Sequence, residues 1–153
     1  ETMLSHTFYE PHTAEYFDFY RQKLIVHGAK PNAAHLRLAA LEREGKCRAA
    51  VTQNIDGLHQ AAGSKTVYEL QGSTLRNYCT RCGNFFPEQF IADAAGVGDT
   101  SLAVYPAAGL LRDFRGENLV VINKQPTPAD AMANLLIHAP IGRTLDPDAL
   151  IEV

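Results

Sequence analysis

The chain has 153 residues, 46% hydrophobic and 20% charged, which is enough for one compact domain with its own core and too apolar for disorder to be the default. Its formal net charge of −3 comes without a clustered basic run, so nothing draws it to nucleic acid irrespective of sequence, and no apolar run approaches the ~20 residues that cross a bilayer. Glu1-Thr2-Met3-Leu4 has no basic flank ahead of an apolar signal core, and three cysteines form no disulfide framework, so the expected place is the reducing cytoplasm, with no membrane or nucleic-acid partner.

From Thr13, a candidate capping hydroxyl, Tyr16, Phe17, Tyr20 and Leu24 recur at roughly helical spacing until Gly28. This predicts a helix with an aromatic face. Pro31-Asn32 opens a second helix, with Ala33, Leu36, Ala40 and Leu41 on neighbouring faces and Gly45 as its stop. A short strand from Ala49 to Thr52 should deliver the chain into Gln53-Asn54-Ile55-Asp56. Helix, strand, then polar loop is how α/β proteins bring polar side chains to the carboxyl edge of a sheet, where ligands bind.

Asp56 can cap a short helix from Leu58 to Ala62 that Gly63 closes. Val67 to Leu70 reads as a second short strand, which puts Gln71-Gly72-Ser73 at another strand end. Cys79-Thr80-Arg81-Cys82-Gly83 follows, and the stretch from Ile91 to Asp99 has no clear period. Leu119-Val120-Val121-Ile122 predicts a buried parallel strand ended by Asn123. Beyond the Pro126-Thr127-Pro128 turn and a short helical stretch from Ala129, Leu135-Leu136-Ile137 is a further strand candidate.

Taken alone, Asn54 and Asp56 ahead of Gly57 read as helix-capping residues or as ligand contacts. The Cys79/Cys82 spacing suits two thiolates of a zinc site. A metal-free thiol pair and a redox dithiol are its alternatives, although the flanks lack the frame that redox chemistry wants.

Four blocks in order carry a larger pattern: Thr52-Gln53-Asn54-Ile55-Asp56-Gly57-Leu58-His59, Tyr68-Glu69-Leu70-Gln71-Gly72-Ser73, Cys79 to Gly83, and Thr100-Ser101-Leu102-Ala103-Val104-Tyr105-Pro106-Ala107-Ala108-Gly109. Together they resemble the sirtuins, NAD-dependent protein-lysine deacylases, over roughly Met3 to Phe90 and Thr100 to Leu145. The resemblance implies an α/β fold in which a Rossmann-like parallel-sheet NAD-binding part (46–72 and 100–153) and a smaller zinc-binding module (73–99) form a single catalytic domain over 1–153. It also implies NAD and zinc as cofactors and acetyl-lysine proteins or peptides as partners. The implied reaction moves the acetyl group to ADP-ribose and releases nicotinamide.

Carried over by position, Gln53, Asn54 and Asp56 correspond to contacts of the nicotinamide and its ribose, and Ile55 to the lining of the nicotinamide pocket. Asn54 and Gln71 fall in the catalytic set. Thr100 and Ser101 correspond to nucleotide phosphate and ribose contacts, Asn123 to an adenosine-ribose contact, and Ile141 to backbone against the adenine. Strand-end Asn and helix-leading Thr-Ser are also common structural caps. Val104 and Tyr105 fall where the family lines its acyl-peptide groove, with plain packing an equal alternative, and Cys79 and Cys82 match the first of two zinc-binding pairs.

Several departures accompany the match. Gln71 stands where the family carries a histidine, the natural general base at neutral pH, so turnover should be impaired while hydrogen bonding to a ribose hydroxyl survives. The second CxxC pair, the PxVVxFGE segment and the strand that leads into Thr100 are not found, and neither is the glycine-rich first turn. This is the pattern of a longer chain from which segments are left out. Asp18 occupies the tyrosine position of the Tyr-x-x-Arg pair seen in acidic-acyl specialists, which favours acetyl over succinyl. An NAD- or acyl-lysine-binding module without turnover and a zinc-knuckle interaction fragment are the competing readings, and mono-ADP-ribosylation is a variant of the enzymatic one.

Overall fold

The computed structural model describes residues 6–9, 11–79, 81–94 and 114–148. In chain order its elements are α1 (His6–Tyr9), α2 (Thr13–Phe19), a π-helical stretch (Tyr20–Leu24), α3 (Ala33–Arg43), β1 (Ala50–Thr52), α4 (Leu58–Ala61), β2 (Val67–Glu69), β3 (Arg76–Tyr78), β4 (Phe85–Pro87), α5 (Glu88–Asp93), β5 (Val120–Ile122), a 3-10 stretch (Pro128–Met132), β6 (Leu135–Ile137) and α6 (Ile141–Thr144). The chain divides into two compact units. Unit 1 is drawn from Glu1–Ala29, Thr52–Gly57 and Glu69–Tyr105, and unit 2 from Lys30–Val51, Leu58–Tyr68 and Pro106–Val153. No helix among the described residues is long and apolar enough to cross a membrane.

The core of unit 1 is the expected aromatic face. Tyr16, Phe17 and Tyr20 are buried with Ile25 and Ile91, and the rings of Tyr9–Tyr16 and Tyr16–Phe17 meet edge to face with centroids 5.0 and 5.6 Å apart, the arrangement that ring quadrupoles favour. Two details differ from the sequence reading. Thr13 is not the cap, because it lies inside α2 behind His12 and its hydroxyl donates to the Tyr9 carbonyl at 3.1 Å. The helix also widens after Phe19, where the Ile25 N–H reaches back five residues to the Tyr20 carbonyl at 3.1 Å, a spacing that buries both Tyr20 and Ile25. The start of the aperiodic stretch is helical as α5, which begins at Glu88 and puts Ile91 into the core.

In unit 2, α3 opens on a reciprocal cap. The Asn32 side chain accepts from the His35 N–H at 3.2 Å, and His35 Nδ1 accepts from the Asn32 N–H at 3.3 Å, so histidine here fills the role usual for Glu or Gln. Gly45, at φ +73°, ends the helix in a Schellman turn, with the Lys46 N–H on the Leu41 carbonyl at 2.9 Å and the Gly45 N–H on that of Glu42 at 3.0 Å. Ala34 and Ala39 are its buried residues, while Leu36 is exposed. Gly63 closes α4 in the same way, with the Ser64 N–H on the His59 carbonyl at 3.1 Å.

The described strands form three two-stranded sheets. Both strands expected here form, and β5 and β6 pair in parallel, with Val120 opposite Leu135 and Ile122 opposite Ile137. The expectation that β5 is buried is not met: Val120 is 47% and Leu135 46% exposed, and among the described residues the pair stands as a two-stranded sheet. β1 pairs with β2, and its hydrogen bonds, Ala50 N–H to the Thr66 carbonyl and Leu70 N–H to that of Thr52, both 2.9 Å, advance together along both strands as in a parallel pair. β3 and β4 form an antiparallel ribbon.

Candidate functional site

The loops that follow β1 and β2 carry most of the polar residues singled out in the sequence. Their strands are too short to hold them in place, so the loops are laced to each other within unit 1. The Leu70 N–H donates to the Thr52 carbonyl at 2.9 Å, and the Thr74 N–H to that of Ile55 at 2.9 Å. The Thr74 hydroxyl adds a second bond to the same Ile55 oxygen at 3.1 Å. The first loop is further shaped by the Asn54 N–H on the Thr52 hydroxyl at 3.0 Å and by the Asn54 amide donating to Asp56 Oδ2 at 3.4 Å. Gly57, at φ +68°, completes the turn where a Cβ would lie 2.5 Å from Leu75 Cδ1.

Within this frame Gln53 and Asn54 are exposed, and Ile55, Asp56 and Gln71 are half-buried. Gln71 precedes Gly72, which turns at φ +77° with its N–H on the Glu69 carbonyl at 3.2 Å. The loop that carries Gln71 is anchored from below: Ser73 and Thr74 are each 2% exposed, and the Arg76 guanidinium pairs with Glu69 Oε2. The Glu69 side chain is 3% exposed, and its other oxygen, Oε1, is buried without a hydrogen-bond partner among the described residues. Removing charge from water is costly unless a counter-ion is near, which makes Arg76 part of the support for the Gln71 turn.

Asn77 joins the same support. Buried at 5% exposure, it donates to the Thr74 carbonyl at 3.0 Å and to that of Phe86 at 3.3 Å, and accepts from the Tyr20 hydroxyl at 3.4 Å. Thr74, Asn77 and the Glu69–Arg76 pair were not singled out from the sequence. The opposite charges seven residues apart across a strand-end turn were the available signal for the pair.

In unit 2, Asn123 sits at the end of β5, exposed, with its N–H on the Ile137 carbonyl at 3.0 Å and its side-chain amide donating to the Gln125 carbonyl at 2.8 Å. His138 Nδ1 lies 3.2 Å from the Asn123 carbonyl and its Nε2 lies 3.7 Å from Asp130 Oδ2. The Thr127 hydroxyl, 2.6 Å from Asp130 Oδ1, holds the Asp130 carboxyl below its ordinary value. Ile141 is 46% exposed at the start of α6. Thr100, Ser101, Val104 and Tyr105 lie outside the described residues.

Cys79 and Cys82 sit in the turn that joins β3 to β4. The Cys79 N–H donates to the Asn84 carbonyl at 2.9 Å and the Gly83 N–H to the Cys79 carbonyl at 2.8 Å. Cys79 is half-buried, Cys82 is exposed and neither is in a disulfide. Among the described residues no group of three or more His, Cys, Asp or Glu side chains could hold a metal ion. Cys47 belongs to unit 2, with its thiol on the Ala49 carbonyl at 3.4 Å.

The model of the Sir2 family matches residues 1–119. The chain is 45% identical to the NAD-dependent protein deacetylase of Clostridium acetobutylicum over an alignment of 188 residues, which takes in 95% of this chain and 77% of that protein. That alignment is longer than the 153 residues of the chain, so the relative carries residues inside the matched range that have no counterpart here. Among solved structures, Sir2 bound to an acetylated peptide matches with a TM-score of 0.79 at 27% identity, over 94% of this chain and 80% of that one. Sir2 in complex with an inhibitor, 2′-O-acetyl-ADP-ribose and a deacetylated p53 peptide matches with a TM-score of 0.79 at 28% identity, over 95% and 82%.

Proposed function

As the chain belongs to the Sir2 family and has its Rossmann-like α/β fold, we propose that it is an NAD-dependent protein-lysine deacetylase acting on acetyl-lysine proteins or peptides. Within the structure, the observation that carries this reading is the lacing of the two strand-end loops, which ties the segment bearing Gln53, Asn54 and Asp56 to the one bearing Gln71. The side chains fit the ligand. Amides both donate and accept, and a carboxylate accepts only, which suits ribose hydroxyls and a carboxamide N–H.

When bound, NAD supplies the ribose that receives the acetyl group and the nicotinamide that leaves. Gln53, Asn54 and Asp56 would bind the nicotinamide and ribose, with Asp56 held by the Asn54 amide, and Ile55 would line the pocket. Asn123 and Ile141 are assigned to the adenosine part, and Thr100 and Ser101 to phosphate and ribose. In this reading 46–72 and 100–153 are the NAD-binding part and 73–99 the small module. The resident zinc of that module fits only by half, since zinc takes four ligands and Cys79 and Cys82 supply two. No catalytic step is assigned to it.

Gln71 decides the rate. Its amide can hydrogen-bond a ribose hydroxyl but takes no proton at neutral pH, so the chain should bind its ligands and turn over slowly. This residue also favours a second reading, a module that recognises NAD and acetyl-lysine without turnover. An acetyl-lysine peptide incubated with NAD separates the two. Gln71→His should accelerate deacetylation by about 10²–10⁴-fold, with one nicotinamide released per lysine freed. Equal turnover in both forms would remove Gln71 from the base position, and no turnover in either, with NAD bound, would leave the binding module.

A further inference from the structure

We propose that His138, held by Asp130, is a positioning residue that fixes the ligand-facing ends of β5 and β6 and tightens nucleotide binding when its ring is protonated. The inference rests on the assignment of Asn123 and Ile141 to the adenosine part of NAD, and adds the groups that aim them. β5 and β6 are parallel neighbours, so their carboxyl ends share one edge, the edge at which α/β sheets receive ligands. Asn123 follows β5, His138 follows β6, and Ile141 opens α6 just beyond.

A chain of contacts within unit 2 crosses that edge. The Thr127 hydroxyl lies 2.6 Å from Asp130 Oδ1, Asp130 Oδ2 lies 3.7 Å from His138 Nε2, and His138 Nδ1 lies 3.2 Å from the Asn123 carbonyl. The Asn123 N–H returns to the Ile137 carbonyl at 3.0 Å. The Asn123 peptide is thus held on both sides, which sets the direction of its side chain. That amide gives one N–H to the Gln125 carbonyl at 2.8 Å. A second N–H and Oδ1 are left, one donor and one acceptor, as the paired hydroxyls of a ribose require.

Both ring nitrogens of His138 face acceptors. Neutral imidazole carries one N–H, so it answers either the Asn123 carbonyl or the Asp130 carboxylate and turns a lone pair on the other. Imidazolium donates to both. Asp130 stays ionised while a histidine titrates, because the Thr127 hydroxyl, with His138 adding to it, holds its carboxyl below the ordinary value. Asp130, from the 3-10 stretch, is the charged group facing the ring, and the end of β5 presents the Asn123 carbonyl. Lys124 beside Asn123 and Arg143 in α6 form no ion pair with Asp130 among the described residues. The ring is 41% and the carboxyl 18% exposed, so solvent screens the pair and the effect is modest.

The test titrates ADP-ribose calorimetrically into the full chain from about pH 5.5 to about pH 8, either side of the ordinary histidine value. Affinity should fall by about 2- to 10-fold as pH rises, the worth of one hydrogen bond. Asp130→Asn should reduce that slope. His138→Ala should bind more weakly and without slope. His138→Asn, which keeps a donor near the Nδ1 position but does not titrate, should recover affinity over His138→Ala and stay flat with pH. Circular dichroism checks that each variant is folded, and a merely structural role would give neither the slope nor the recovery. A flat native profile, a slope that persists in His138→Asn, or native affinity in His138→Ala would overturn the inference and leave the NAD reading in place. No ADP-ribose binding by any form would overturn both.

Discussion

Unit 1 encloses three aromatic rings and two isoleucines, whereas the buried apolar residues described for unit 2 are Ala34 and Ala39. Unit 2 is closed instead by polar brackets. The Glu42 carboxylate takes the Lys65 and Thr66 N–H groups at 2.8 Å each, and the Asn134 side chain takes the Leu119 N–H at 2.7 Å. Burial pushes the Tyr16 phenol up to about 12, with Tyr9 adding to the rise, and raises Tyr20 further. The Lys65 and Thr66 N–H groups hold the Glu42 carboxyl below its ordinary value, and Lys46, with Arg37, does the same for Glu44. The shifts in unit 1 are thus upward and fall on phenols, and those in unit 2 are downward and fall on carboxylates.

The largest effect that separates the units is expected from Phe17→Ala, which empties the aromatic core at a cost of about 3–5 kcal/mol. Hydrogen exchange should show amide protection falling in unit 1 and unchanged in unit 2; a joint loss would erase the distinction. Next comes alkali. A raised native value means that the contribution of Tyr16 is complete below its unfolded value near 10 and is lost as pH rises toward about 12. Tyr16→Phe should flatten the alkaline limb of a stability–pH curve, and a curve of unchanged shape would contradict the assignment.

Gly57→Ala should cost about 1–2 kcal/mol through its positive φ, since the Leu75 side chain, 41% exposed, can swing from the new methyl. A drop in melting temperature with weakened NAD binding is the expected readout; unchanged melting would mean the turn is not strained by a side chain. Smallest is Glu42→Gln. Because the native carboxyl value is depressed, its stabilisation is complete above the ordinary glutamate value of about 4.3 and is lost as pH falls through the native one. The variant should melt slightly lower at neutral pH and show a shallower acid limb, with faster exchange confined to the amides of Lys65 and Thr66.

What the sequence disclosed follows the same division between local and distant causes. Asn32, Gly45 and Gly63 mark helix ends because capping and positive φ are properties of a few adjacent residues. The strands β5 and β6 were legible as two aliphatic runs with a turn and short helix between, whereas their pairing with each other is a finding of the structure. The β3–β4 ribbon was not, since three-residue strands, one ending in Pro87, give no period to read. The π-helical turn at Tyr20 and the exposure of Val120 depend on which neighbours the chain brings together. The same holds at the candidate site, where motif order pointed to Gln53, Asn54, Asp56 and Gln71, while Thr74, Asn77 and the buried Glu69, which hold them, act across the fold.

The central claim is that binding persists while proton transfer is lost at position 71. NAD titrated calorimetrically into the native chain and into Gln71→His, alongside nicotinamide release with an acetyl-lysine peptide, tests it most directly. The account predicts affinities within a few-fold of each other and release rates about 10²–10⁴-fold apart. Equal release rates, or no NAD binding by either protein, would contradict it.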